Sequence, residues 1–283
     1  MLSSILAASL SMGLLAVAFA VLLVWASRRF TVQEDPRVEL LANLLPGANC
    51  GACGFSGCSG FAKAAVEGKA PADGCRAGGP GVAARVAEVL GVAAPAGVTR
   101  QVAHVFCAGT QALAKRTGEY RGLPDCRAAE LVSGGGKACT YGCLGFGTCV
   151  EACPFDALTM GPEGLPVVDE RKCTGCGICT QVCPRGVIQL VDAGRRTFVN
   201  CLSPLPGKLV RQVCQAGCIA CNICERLCEH DAIHVLGNLA TITPELCIAC
   251  GQCSAKCPTH VIECRREEEA GEALPAGAGQ AAS

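Results

Sequence analysis

The chain is short of most of what builds an ordinary enzyme. Aromatic residues make up 4% of it and charged residues 17%, while glycine reaches 35 of 283 residues. So little side-chain bulk cannot fill large apolar cores, and something other than packing must organise the fold. Lys plus Arg and Asp plus Glu stand at 24 each with no basic block, which removes the electrostatic footprint of a nucleic-acid binder. No G-x-G-x-x-G opens a helix, and no Walker motif, H-E-x-x-H or nucleophile elbow occurs. Any nicotinamide or flavin must therefore sit on another chain. Gly134-Gly135-Gly136 reads as a flexible approach to Cys139 and not as a phosphate cradle.

Cysteine takes the place of that missing chemistry, with 25 residues. Cys173, Cys176, Cys179 and Cys183-Pro184 form the C-x2-C-x2-C-x3-C-P run of bacterial ferredoxins, and Cys247, Cys250, Cys253 and Cys257-Pro258 repeat it. Cys218, Cys221, Cys224 and Cys228 repeat it with Glu229 in place of proline. Cys139, Cys143, Cys149 and Cys153-Pro154 end alike after wider gaps. Such runs hold [4Fe-4S] clusters, the fourth cysteine of each run ligating the cluster of its partner run. The expected sets are Cys139, Cys143, Cys149 with Cys183; Cys173, Cys176, Cys179 with Cys153; Cys218, Cys221, Cys224 with Cys257; and Cys247, Cys250, Cys253 with Cys228. A disulfide framework would be small, secreted and without this period. A zinc site would need only paired C-x2-C motifs, whereas three close thiols and a remote fourth suit a cubane.

A further set, Cys50, Cys53, Cys58 and Cys75, lies among glycines that let backbone approach closely, and it suits a fifth [4Fe-4S] cluster. Cys107, Cys126, Cys201 and Cys214 fit no run, so a sixth cluster, redox-active thiols and packing cysteines all stay open for them. Cys264 belongs to no motif. His230 and His260 read as solvent-facing, since each run already has its four thiols. Thiolate ligands in this number point to a reducing compartment.

Ile5 to Trp25 carries no charge, and as a helix it would span about 31 Å, one hydrocarbon core. Arg28 and Arg29 follow it, placing the rest of the chain on the cytoplasmic side of a bacterial inner membrane as a single-pass protein. A cleaved signal peptide would need a basic start and a shorter apolar run. The expected fold class is α+β: a transmembrane anchor at 1–29, a small helical four-Cys domain at 30–78, and a linker with Cys107 and Cys126 at 79–135. Ferredoxin-like modules follow at 136–192 and 215–264, joined by a connector at 193–214, and 265–283 reads as a disordered tail. In each module, two apolar residues at the fourth and fifth places after the last cysteine of a run begin a short strand. Val167-Val168 and Ala240-Thr241-Ile242 supply partner strands.

The apolar helix, Asn49-Cys-Gly-Ala-Cys-Gly-Phe-Ser-Gly-Cys with Cys75, and Cys139-Thr-Tyr-Gly-Cys-Leu-Gly-Phe-Gly-Thr-Cys-Val-Glu-Ala-Cys-Pro together resemble the B subunit of the Rnf ion-translocating electron transport complex. The resemblance covers nearly the whole chain up to Cys264. It implies a membrane complex that oxidises reduced ferredoxin, reduces NAD+ and couples the drop to Na+ or H+ pumping. In it this chain takes electrons from soluble ferredoxin and passes them to other subunits in the lipid bilayer. The ferredoxin pair at 215–264 and the absence of proline after Cys228 depart from the short form of that family. The alternative is a membrane-held reductase of an iron–sulfur transcription regulator.

Overall fold

The computed structural model describes residues 2–30, 35–94 and 97–265. Helix α1 (Leu2–Arg29) contains a stretch, Ser9–Arg29, of 21 residues that is long and apolar enough to cross a membrane, none of it buried within the chain. Its large side chains from Leu10 to Trp25 are exposed, an arrangement that makes sense for a helix solvated by lipid. Arg28 and Arg29 close its last turn, where cations complement the helix dipole.

Three helices build the N-terminal unit. In α2 (Pro36–Leu44), Asp35 caps the first turn by accepting from the Arg37 amide at 2.9 Å, with Pro36 at the first helical position. α3 (Gly57–Val66) and α4 (Gly79–Leu90) pack with α2 around Leu41, Phe61 and Val86, all fully buried. Each such side chain contributes about 1.5–3 kcal/mol on leaving water. Helix α4 was expected inside the linker at 79–135. Its face of Val82, Ala83, Val86 and Ala87 makes it part of this core instead.

Short elements make up the remainder: β1 (Gln101–Val105), α5 (Cys126–Leu131), α6 (Thr148–Glu151), β2 (Leu158–Met160), β3 (Pro166–Val168), α7 (Ile178–Val182), β4 (Ile188–Asp192), β5 (Thr197–Val199), α8 (Gly207–Val213), α9 (Ile223–Leu227), β6 (Ile233–Leu236), β7 (Leu239–Ile242), α10 (Gln252–Ala255) and β8 (Ile262–Cys264). Strands β2, β4, β6 and β8 begin where the apolar pairs after Cys153, Cys183, Cys228 and Cys257 placed them. All pairing is antiparallel: β2 with β3, β6 with β7, β1 with β4, and β5 with β8. The last two pairs depart from expectation, because β1 comes from the 79–135 linker and β5 from the 193–214 connector. Each completes its module by covering the strand that leaves the second cysteine run, which would otherwise be an open edge.

The two modules are tied together. Ala108 donates to the Asn200 carbonyl at 2.9 Å, Asn200 to that of Val261 at 2.8 Å, and Lys115 and Gln215 donate to the carbonyls of Val213 and Leu113. Arg265 closes the junction. It binds Glu263 at 2.6 Å and Glu170, and stacks over Phe198. Arg265 was expected in a disordered tail, yet it is the pin between modules; residues 266–283 lie outside the described part. The glycines at 134–136 differ as well. They form a fixed turn of positive φ in which a Cβ on Gly136 would meet the Gly118 carbonyl, so close approach, not flexibility, requires glycine there.

Candidate metal centres

In the N-terminal unit, Cys50, Cys53, Cys58 and Cys75 line a single pocket of about 360 Å3. Asn49 shapes it, its Oδ1 accepting the Cys58 amide at 2.8 Å. A Cβ on Gly57 would fall 2.6 Å from that oxygen, so the glycine is what admits the bond.

The cysteine runs of the modules share one backbone form. Two residues of each run take left-handed φ: Gly175 and Gly177, Ala220 and Asn222, Ala249 and Gly251, and Gly145 and Gly147. In the first three runs the second cysteine (Cys176, Cys221, Cys250) stands between those two residues. In the fourth, the residue between Gly145 and Gly147 is Phe146. The run is therefore Cys143, Phe146, Cys149, Cys153 at ordinary ferredoxin spacing, with phenylalanine in the second cysteine's place. Cys139 lies outside it.

Cys126 stands where a fourth thiol is wanted. It lines a pocket of about 370 Å3 with Cys143, Cys149 and Cys183. Helix α5 delivers it: Asp125 caps the helix by accepting from Ala128 at 2.8 Å, and the Cys126 amide donates to Thr148 Oγ1 at 2.8 Å. Arg185, its side chain 3% exposed, binds Glu130 of α5 at 2.6 Å and donates to the carbonyls of Cys139 and Gly142 at 2.7 and 2.9 Å. The expected grouping placed Cys139 with Cys143, Cys149 and Cys183; in the structure the last three share a pocket with Cys126. Cys139 instead lines a pocket of about 350 Å3 with Cys107, Cys201 and Cys214.

The other expected groupings come together. Cys176, Cys173 and Cys153 are all within electrostatic reach of Cys179, whose thiol burial raises most. Cys218, Cys221, Cys224 and Cys257 line one pocket, and Cys228, Cys247, Cys250 and Cys253 another, of about 330 and 400 Å3. Cys264 stands apart, bonded to the Ala249 carbonyl at 3.4 Å. His230 and His260 are exposed.

All 25 cysteines are free thiols. Among the described residues no three His, Cys, Asp or Glu side chains converge on one ion. The thiols stand around voids of similar size, a fit for a multi-iron cluster and a poor one for tetrahedral zinc. Burial pushes the Cys143, Cys149 and Cys179 thiols up to about 12 and those of Cys224 and Cys253 up to about 11. Without iron these groups hold their protons, and metal binding must displace them.

Comparison with known families agrees with this geometry. Residues 45–77 match a family described as an Fe-S cluster, residues 138–187 a 4Fe-4S dicluster domain, and residues 240–263 a 4Fe-4S binding domain. The chain is 45% identical over 93% of its length to the B subunit of the Na(+)-translocating ferredoxin:NAD(+) oxidoreductase complex of Acetobacterium woodii, covering 78% of that protein. It is 42% identical to the proton-translocating counterpart of Clostridium ljungdahlii, over 89% of both chains. It is 43% identical to the B subunit of the ion-translocating oxidoreductase complex of Methanosarcina acetivorans, over 89% of this chain and 95% of that one. The chain belongs to the B-subunit family of ion-translocating oxidoreductase complexes. The chain carries an Fe-S domain in its N-terminal unit and 4Fe-4S domains in its modules. The dicluster match spans Cys139 and passes over Cys126, which follows chain order; the pockets group the two residues the other way.

Proposed function

We propose that the chain is the electron-entry relay of a membrane-bound ferredoxin:NAD+ oxidoreductase, taking single electrons from reduced ferredoxin and handing them to membrane subunits. Five thiol sets would hold [4Fe-4S] clusters: Cys50, Cys53, Cys58, Cys75; Cys153, Cys173, Cys176, Cys179; Cys126, Cys143, Cys149, Cys183; Cys218, Cys221, Cys224, Cys257; and Cys228, Cys247, Cys250, Cys253. The bound clusters supply one-electron redox chemistry, their potentials set by hydrogen bonds to sulfur, charge and exposure. The protein's own part is to fix the sets in sequence and keep water from most of them.

The observation that carries the reading is the order of the sets in space. Cys50 lies near enough to Cys176 to bear on its thiol, after burial and the Ile178 amide. Cys149, which burial, Cys126 and Cys183 affect most, is also within reach of Cys179. Cys250, the one exposed cysteine, marks the far end, flanked by Leu246 at 49% and Ile248 at 63% exposure. Ferredoxin would dock there, on the cytoplasmic side, and electrons would run toward the Cys50 set beside α1. The names of the relatives lend nothing to the regulator-reductase alternative. Stopped-flow reduction of the anaerobic protein by ferredoxin tests the direction: replacing Cys247 by serine should slow reduction of all remaining clusters, and unchanged kinetics would overturn it.

A further inference from the structure

The four cysteines that no run claimed are divided by the fold. Cys126 completes a ferredoxin set, and Cys107, Cys201 and Cys214 gain Cys139, which the run gives up. We infer that Cys107, Cys139, Cys201 and Cys214 form a sixth four-thiolate site that takes a [4Fe-4S] cluster and links the two modules.

The pocket is built like the four others that thiol sets line. Its volume, about 350 Å3, falls within the 330–400 Å3 of the rest. Glycine backbone lines it at two points. A Cβ on Gly109 would lie 3.2 Å from Cys214 Sγ and 3.6 Å from Cys107 Sγ, and one on Gly142 would lie 3.5 Å from both Cys107 Sγ and Cys139 Sγ. Lys137 holds these walls together, its Nζ donating to the carbonyls of Gly109, at 2.8 Å, and Cys143. The bridge between Ala114 and Cys214 fixes the fourth wall. With Cys264 set aside, six sets of four then account for every cysteine in the chain.

The site's neighbours give it a role. Cys107 Sγ accepts the amide of Cys143 at 3.3 Å, and Cys143 belongs to the set of the first module. Cys201 accepts amides from Ser203 and from Cys218, and Cys218 belongs to the set of the second. One N–H···S bond therefore separates this site from a ligand of the adjoining cluster on each side. Such bonds favour the reduced cluster. An electron leaving the second module reduces this cluster by one, and the cluster is reoxidised as it reduces the first module; no proton or bond changes hands. That role rests on the relay reading above, whereas the metal content does not.

The test uses the full chain purified anaerobically. Iron, acid-labile sulfide and zinc are counted, and native mass gives the number of intact cubanes. Wild type should carry about 24 iron atoms, and C214S and C126S should each lose about 4, or leave a three-iron cluster with its own EPR signal. The double variant should lose about 8, because the two thiols serve different clusters. About 20 irons in wild type with C214S unchanged would overturn the site, as would one zinc per chain or a double variant that loses no more than either single. Should C214S fail to fold, the wild-type native mass alone decides between five and six. For the role, ferredoxin should still reduce the second module in C214S while reduction of the first falls at least tenfold. If wild type is never reduced by ferredoxin the relay reading fails, and the iron count still judges the site.

Discussion

The backbone amide of Cys126 donates to the side-chain hydroxyl of Thr148 across 2.8 Å, and that hydroxyl donates onward to Asp125 at 2.9 Å. Through this pair α5 is held against the helix that begins the Cys149 segment, so a cysteine outside the ferredoxin run lines the pocket of Cys143, Cys149 and Cys183. Thr148→Val keeps the shape and deletes both bonds. Losing two part-buried bonds at about 0.5–1.5 kcal/mol each costs about 1–3 kcal/mol, so iron should leave the cluster proposed for that pocket roughly tenfold faster or more. Release into an iron chelator under anaerobic conditions measures it, and Thr148→Ser should behave as wild type.

Arg185 bears on the same cluster from the other side. Its guanidinium binds one carboxylate and three backbone carbonyls, those of Gly134, Cys139 and Gly142, at an almost fully buried position. Lysine keeps the charge but cannot reproduce the planar fork. Arg185→Lys should cost about 3 kcal/mol, at 1.5–3 kcal/mol for each charged hydrogen bond lost. The anaerobic temperature of cluster bleaching should fall, with Arg127→Lys, whose parent residue makes a single bond to the Val182 carbonyl, as the mild comparison.

The module junction should be sensitive to acid. His104 stacks on Phe198 at 3.8 Å, pairs through Nε2 with Asn200 Oδ1 at 2.8 Å, and presents Nδ1 to Arg265 at 3.4 Å. A guanidinium can only donate, so Nδ1 accepts and the ring is neutral with its proton on Nε2. Burial lowers its pKa from 6.5, and the Arg265 and Arg195 charges lower it further against the opposing pull of Asn200 and Glu263. A depressed pKa means that the contribution is complete above the unfolded value and is lost as pH falls below it. The protection factors of β1 and β5 amides, corrected for intrinsic exchange at each pH, should therefore fall below pH 6.5. His104→Gln, which carries no titrating proton, should flatten that dependence.

Helix α1 makes a simpler claim. Val17 is 64% exposed in the middle of the apolar span, where arginine costs about 3 kcal/mol on insertion. Val17→Arg should move a share of the protein from the membrane to the soluble fraction after alkaline washing, with its iron content intact. Among the described residues, the cluster domains share no buried core with this helix.

What the sequence shows directly is whatever depends on short-range spacing. Three of the module sets and the Cys50 set follow from C-x2-C periods, since thiols on one tight loop have nowhere else to point. The apolar pairs after each last cysteine found β2, β4, β6 and β8 for the same reason. Strand β1 escaped notice because Gln101-Val-Ala-His-Val is buried at its three central places; its partner Ile188–Asp192 is remote in sequence, and propensity alone cannot pair them. The exchange of Cys139 for Cys126 is tertiary as well. One sign of it was legible: Cys143-Leu-Gly-Phe-Gly-Thr-Cys149 lines up with Cys173-Thr-Gly-Cys-Gly-Ile-Cys179, glycine on glycine, with Phe146 opposite Cys176. The run that seems widened at Cys139 has, from Cys143 to Cys153, the spacing of the other three with phenylalanine at the second cysteine's place.

That alignment predicts a rescue. Phe146 sits between two left-handed glycines just as Cys176 does, and its ring leans on Tyr120 at 5.2 Å without lining the pocket of Cys126. Cysteine at this position has the backbone that aims a thiol at the cluster in the other three runs. C126S should lower the iron content by about 4 atoms, and adding F146C to C126S should restore it. The cost is the lost ring contact, about 1 kcal/mol, which should show as a modest drop in thermal stability. Had Cys139 been the ligand, C126S would leave the iron count untouched and F146C would have nothing to restore.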